Sequence, residues 1–290
     1  PAWLVLRFVS GLAGSVPWVV TETWINVAAT ERNRGRSVAI YTAVMAAGFA
    51  TGPELLKWSM ALGQSPLPWF IALQTASLII ILPLRRLAPA LEDGGDARIL
   101  ATFIMLPALM SAAVVSGALD TAFFSFLAIW GQRVGLDAAF ALTLVSIFIA
   151  GNVLLQFPIG WLADLWGPRP VMLGCGAVAI FCPVLALVVA VADWPILLGL
   201  LAFVWGGCIW GAYSVALVAM GRRFTGGQLA IVNAAFVMAY TFANVAAPPV
   251  AGYAMNLLDP QGLMVFALLS ALAFTAIVWW RRREFTGRAD

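Results

Sequence analysis

Apolar runs of about 20 residues or more, separated by short polar clusters, recur along the whole chain. An α-helix rising 1.5 Å per residue needs about 20 residues to cross roughly 30 Å of hydrocarbon, so each run is long enough to span a bilayer. A transmembrane barrel would instead show short segments of alternating hydrophobicity. Composition agrees, since 63% of the 290 residues are hydrophobic and 10% are charged, with a mean hydropathy of +0.97. That balance lies far outside the range of soluble domains. The chain reads as an all-α polytopic protein whose solvent is the lipid bilayer.

Nine spans are expected, over about 2–29, 37–62, 69–84, 99–130, 138–163, 171–191, 196–220, 228–257 and 262–280. A polar linker containing Glu92, Asp93, Gly94, Gly95 and Asp96 divides the third from the fourth. All of the 16 Lys and Arg except Arg7, Lys57 and Arg133 fall on one side of this topology, the side of the polar stretch 160–170. The positive-inside pattern makes that side cytoplasmic, with the C-terminus there and, for nine spans, the N-terminus outside. The net charge of +3 gives no reason to expect a nucleic-acid partner, because the cations are not gathered on a soluble domain. With no histidine in the chain, His-based zinc sites, general bases and pH switches are excluded. Cys175, Cys182 and Cys208 lie inside spans and read as small packing residues. No metal, cofactor or enzymatic chemistry is expected. A helical bundle without an organelle signal fits a bacterial inner membrane or a plasma membrane.

The stretch 160–170 reads Gly-Trp-Leu-Ala-Asp-Leu-Trp-Gly-Pro-Arg-Pro. Gly160 permits close approach to a neighbouring helix, Asp164 places a carboxylate at the membrane surface, and Gly167 with Pro168 forces a turn. Arg169 follows, within reach of that carboxylate or of lipid phosphate. The spacing Gly-x-x-x-Asp-x-x-Gly-x-Arg resembles the loop motif repeated in each half of major facilitator superfamily transporters. The resemblance implies a cytoplasmic latch, made and broken as two halves rock. Here Leu165 replaces the common basic residue and Arg169 stands alone between prolines, which implies a weaker latch.

Other motifs fit the same family. Arg7-Phe-Val-Ser-Gly11 resembles its Arg-x-x-x-Gly motif of the fourth membrane helix, followed by the basic turn 31–36. Gly48-x-x-x-Gly52-Pro53 resembles the helix-bend motif of drug/proton antiporters, although Glu54 and Leu56 interrupt its tail. The segment 248–252, Pro-Pro-Val-Ala-Gly, is a degenerate echo of it, as duplicated bundles would leave. The resemblance implies twelve spans in two six-span halves. Three spans precede the linker and six follow it, so the first three of twelve are expected to be absent. Residues 1–87 would then be the remainder of the first bundle, 88–98 the linker, and 99–290 the second bundle with its tail.

An ionisable side chain in hydrocarbon costs at least about 2.5–3.5 kcal/mol, so each one needs a reason. Arg7 and Asp120 lie roughly 10 and 15 Å below the outer surface at 1.5 Å per residue, near enough in depth to share a cavity. Asp120 is the candidate proton-carrying carboxylate, with Arg7 tuning its charge state. Glu22 shares the helical stripe of Arg7, Gly11, Ser15 and Trp18. It is roughly 22 Å from Arg7 along the axis, which directs it to the basic turn after the first span or to a proton at the cytoplasmic side. Ser116, Asp120, Phe123 and Phe124 are expected to share one side of the fourth span, and Trp205, Trp210 and Tyr213, with Ser214, cluster on the seventh span. With Trp18 they are candidates for an aromatic substrate cavity suited to amphipathic or cationic solutes; packing is the competing role. Asn152, Asn233 and Asn244 are expected in interhelical hydrogen bonds, and Gly206-Gly207-x-x-x-Gly211 in close helix contact. The function expected is alternating-access transport of a small-molecule substrate, exported in exchange for protons. A proton-coupled importer of sugars or metabolites, and a non-transporting truncated membrane component, are the alternatives.

Overall fold

A computed structural model describes residues 17, 20–25, 27–30, 33–65, 67–84, 102, 104–191 and 194–285, and among them the chain is helical with no β-strand. In chain order the helices are α1 (Arg34–Ala61), α2 (Leu67–Leu84), α3 (Pro107–Arg133), α4 (Ala138–Trp166), α5 (Pro168–Val191), α6 (Pro195–Arg223), α7 (Gly226–Leu257) and α8 (Gly262–Trp280), with a short 3-10 turn at Arg282–Phe285. Residues 20–25, 27 and 28, upstream of α1, are also helical. The six helices α3 to α8 are long and apolar enough to cross a membrane. These elements coincide with the second to ninth expected spans. Most of the first span, and the linker, lie outside the described residues.

Local chemistry sets the helix ends. Asp137 caps α4, accepting from the amides of Ala139 at 2.9 Å and Phe140 at 3.3 Å. Helix α4 continues through Gly160 and Asp164 to Trp166, so the polar stretch is mostly helix. Its turn is reduced to Gly167, at φ +84°, where a side chain would be strained. Pro168 then opens α5, a position where its missing N–H costs nothing. Helix α3 starts at Pro107, later than the expected boundary near 99, because Leu106 leaves the helical region at φ −122°, ψ 50°. Its first amides are met from the far end of the chain: Glu284 Oε2 accepts from Ala108 at 3.0 Å and Leu109 at 3.4 Å.

Helix α6 is the centre of the six-helix bundle. Its residues from Trp205 to Gly221 are all buried, as expected of a helix enclosed on every side. It packs on α3, α4 and α5, and α1 crosses onto α4 and α6. The α4–α6 contact is close because glycines face each other, as the Gly206-Gly207-x-x-x-Gly211 pattern predicts. A Cβ on Gly206 would collide with the Phe148 carbonyl, one on Gly151 with the Phe203 carbonyl, and one on Gly207 would sit 2.5 Å from Leu155 Cβ. By contrast, a Cβ on Gly48 would meet nothing within 4 Å. Helix α1 runs without a break through Gly48, Gly52 and Pro53.

The outer surface carries exposed Phe124, Phe157, Phe242, Trp279 and Trp280, and the described side chains of α2 are all exposed. In water such an apolar surface would drive association; in hydrocarbon it is the correct exterior.

Gly206→Leu is expected to destabilise the detergent-solubilised protein by about 1–3 kcal/mol or more, the usual cost of overpacking, and Gly48→Ala by less than about 0.5 kcal/mol. Thermal unfolding followed by circular dichroism checks both. Equal losses would contradict the packing described.

Candidate functional site

Two carboxylates, Glu22 buried and Asp120 half-buried, approach each other through a pair of tyrosines. Asp120, on the face of α3 turned to α6 and α7, accepts from Trp210 Nε1 at 2.9 Å through one oxygen and from the Tyr240 hydroxyl at 3.2 Å through the other. Glu22, 1% exposed, accepts from the Tyr213 hydroxyl at 2.6 Å. The rings of Tyr213 and Tyr240 meet edge to face at 5.3 Å, and Trp210 lies 5.7 Å from Tyr213 and 6.0 Å from Tyr240. Hence Glu22, upstream of α1, and Asp120, on α3, flank one aromatic box built by α6 and α7. Trp210 and Tyr213 are buried, so the box is packed shut.

Polar side chains gather around the box because they have no water to turn to. The Ser214 hydroxyl donates to Gln156 Oε1 at 2.7 Å and lies 3.2 Å from the Thr42 hydroxyl, joining α6, α4 and α1. Asn233 donates to Thr23 at 3.2 Å, and Thr121 bonds Asn244. Interhelical bonding expected of Asn233 and Asn244 is therefore observed. Asn152 instead accepts from Gln156, one turn along its own helix.

A second constellation lies at the end of the bundle rich in arginine. Asp164, near the end of α4, accepts from the backbone amides of Gly35 at 2.9 Å and Arg36 at 3.1 Å, the first turn of α1. A carboxylate at a helix N-terminus satisfies orphan amides and the positive end of the dipole together. Arg222 at 3.3 Å and Arg36 at 4.0 Å complete the site. Two glycines admit this contact: a Cβ on Gly35 would lie 2.5 Å from Asp164 Oδ1, and one on Gly160 would lie 2.5 Å from Ala39 Cβ. Arg34 bonds the Gly221 carbonyl, a further link from α1 to α6.

The structure corrects several expectations. Arg169 does not serve Asp164: past the Gly167 corner its guanidinium donates to the Trp279 carbonyl at 3.0 Å and lies over the Trp279 ring at 5.6 Å. Arg222 and Arg36 take the expected role. Phe124, 64% exposed, cannot line a cavity with Phe123, since successive helical residues point about 100° apart. Phe123 packs with Trp205 and Phe148 at ring distances of 4.4 and 5.5 Å inside the six-helix bundle. Ser116 donates its hydroxyl to the Ile209 carbonyl at 2.7 Å. Of the aromatic candidates described, Trp210 and Tyr213 reach the carboxylates. Glu22 meets Tyr213 of α6, a partner not anticipated, and Tyr240 was missed altogether. Arg7 and Trp18 lie outside the described residues, as do the side chains of Gly52 and Pro53.

This bundle, sealed by glycine contacts and with six helices long and apolar enough to cross a membrane, has the architecture of a polytopic membrane protein. The family profile of the Major Facilitator Superfamily matches residues 109–289, more than half of the chain, and the chain belongs to that family. Among curated relatives, the uncharacterized MFS-type transporter YcaD of Shigella flexneri is 25% identical over 275 residues, covering 94% of this chain and 70% of its own length. YcaD of Escherichia coli O139:H28 matches to the same extent. Among solved structures, the Escherichia coli fucose:proton symporter FucP shares the fold, with a TM-score of 0.65, 15% identity, and coverage of 93% of this chain and 73% of that one. The protein is thus a multi-pass integral membrane transporter of the superfamily, a class that moves small molecules across the bilayer.

Asp164→Ala is expected to loosen the α1–α4 contact. A charge at a helix N-terminus contributes about 0.3–2 kcal/mol, so the open fraction should rise about 2- to 30-fold. The check is the maleimide labelling rate of Val38→Cys, a buried position, in a background with the three cysteines replaced. An unchanged rate would mean that Asp164 does not hold the contact.

Proposed function

We propose that the protein is a proton-coupled secondary transporter working by alternating access, with Asp120 and Glu22 as its proton-carrying carboxylates and a small organic solute as cargo, moved outward. The observation that carries this reading is the hydrogen bond from Tyr213 to Glu22, 2.6 Å long. It ties the segment before α1 to the six-helix bundle, so it must break when the two part. An ionised carboxylate only accepts, whereas the acid also donates. Protonation of Glu22 therefore changes what the contact is made of, which is the requirement for coupling a proton to a conformational step.

The box suits its cargo class. Two acidic groups flanking three aromatic rings favour a cationic or amphipathic solute through charge and cation–π attraction. Asp164, held by the first turn of α1, Arg222 and Arg36, acts as the latch of the arginine-rich end. That end is cytoplasmic by the positive-inside pattern, in a bacterial inner membrane or its equivalent. In this arrangement the latch is closed, and the solute enters or leaves at the opposite end. Arg7 is assigned to the charge balance of Asp120, and the Gly48–Pro53 segment of α1 to helix bending.

In proteoliposomes with an imposed pH gradient, Asp120→Asn and Glu22→Gln should each abolish proton-driven solute movement. Tyr213→Phe, which deletes only the bridging hydroxyl, should shift the balance from the closed to the parted arrangement about tenfold or more, the worth of one hydrogen bond to a charged group. Coupled transport that survives Asp120→Asn unchanged would remove Asp120 as a carrier.

A further inference from the structure

A single turn of chain at the arginine-rich end gathers three helix ends. Glu284, in the 3-10 turn after α8, is buried and accepts through Oε2 from the amides of Ala108 at 3.0 Å and Leu109 at 3.4 Å, in the first turn of α3. Its other oxygen takes Arg281 Nε at 2.8 Å, at the end of α8. Its backbone carbonyl takes Arg223 Nη1 at 2.9 Å, from the end of α6. Arg281 Nη2 also reaches the Met105 carbonyl at 3.2 Å, just before α3. These charges suit the dipoles they meet: a carboxylate sits on the positive N-terminus of α3, and arginines close the negative C-termini of α6 and α8.

The contact on Asp164 is built in the same way. That carboxylate holds the first turn of α1, and the arginine that reaches it from α6 is Arg222. Adjacent residues in the last turn of α6 therefore serve two carboxyl-bearing segments. Arg222 donates to Asp164 and to the Ala163 carbonyl of α4, both at 3.3 Å, while Arg223 donates to the C-terminal turn. Successive helical residues point about 100° apart, so one helix end can hold both sides. A shift of that end which breaks one set of bonds carries the other arginine with it.

We infer that the C-terminal turn, residues 281–285, is a strap coupled to the Asp164 contact through Arg222 and Arg223, so that loosening the strap opens the arginine-rich end. The inference rests on the reading of Asp164 as a latch. Without the Glu284 carboxylate, the α3 amides and Arg281 lose their acceptor, and the turn, with the carbonyl that orients Arg223, comes away from α6. Arg222 then loses its fixed base, and Asp164 keeps the α1 amides and Arg36. The converse also holds: coupling between two contacts is one shared free energy, so opening the latch loosens the strap by the same factor. A partner that seized the end of the chain would thereby bias the molecule toward its opened arrangement.

The test is maleimide labelling of the full chain in detergent, with Cys175, Cys182 and Cys208 replaced and one buried reporter added, either Val38→Cys on α1 or Ala108→Cys on α3. Glu284→Ala should raise the Val38→Cys rate about fivefold or more, the lower range of coupling between sites. Glu284→Gln keeps an acceptor for the amides but loses the charge, and should raise it less. Asp164→Ala should raise the Ala108→Cys rate by a similar factor. Arg133→Gln, which breaks an exposed ion pair with Asp259 at the opposite end, should leave both reporters unchanged. Thermal midpoints confirm that the variants fold, and Glu284→Gln carries the test if Glu284→Ala does not. If Glu284→Ala and Glu284→Gln left Val38→Cys unchanged while Asp164→Ala raised it, the strap would be a local cap of α3, and the coupling would fall with the latch intact. If Asp164→Ala also left Val38→Cys unchanged, the latch and the coupling would fall together. An equal rise with Arg133→Gln would mean general loosening and would overturn the coupling.

Discussion

The contact between the Asp164 carboxylate and the first turn of α1 is the joint on which the described arrangement turns. It joins residues 129 apart in sequence, and Gly35 and Gly160 remove the side chains that would hold the backbones apart. A charged group on a helix N-terminus is a contact of moderate strength. That is the right scale for a contact to be made and remade, where a dry apolar interface of the same extent would be hard to part. The neighbouring bonds from Arg34 to Gly221 and from Arg222 to Asp164 extend it to α6, so one end of the molecule is closed by several interactions that must yield together.

Deeper in, hydrocarbon dictates where polar groups go. Each carboxylate, amide or hydroxyl in a span must find another protein group, because water is absent and an unmet charge is costly. The result is a chain of polar contacts from Thr42 through Gln156 to Ser214, and beside it the box that holds Glu22 and Asp120. The contacts that cross from α1 and the segment before it into the six-helix bundle are hydrogen bonds, the Arg36–Asp164 ion pair and apolar packing of Ile25, Val27, Val38 and Met45.

Much of the fold was legible because helix length and apolar composition speak directly to a bilayer. The spans, the close helix contact at Gly206, Gly207 and Gly211, and the approach of Gly160 to a neighbouring helix could all be read from spacing. What spacing does not carry is azimuth and partner. Phe123 and Phe124 are adjacent letters, yet one is buried and the other faces lipid. Tyr240 is one of two tyrosines in an apolar helix, with no local mark of its role. Glu22 finds Tyr213 across 191 positions, a separation at which sequence periodicity says nothing. Arg169 looked like the natural partner of Asp164 by proximity, but the corner at Gly167 turns it toward α8. The signal that would have found Tyr240 is its helical spacing to Asn244, whose partner Thr121 adjoins Asp120.

On the proposed function, protonation of Glu22 and opening at the arginine-rich end are one event. Spin labels at Ile40→Cys on α1 and Leu165→Cys on α4, both exposed, would report the spacing of that end as pH is varied. The account predicts two spacings whose proportions change with pH, and a Glu22→Gln variant whose proportions do not. A spacing that ignores pH, or that shifts identically in Glu22→Gln, would contradict it.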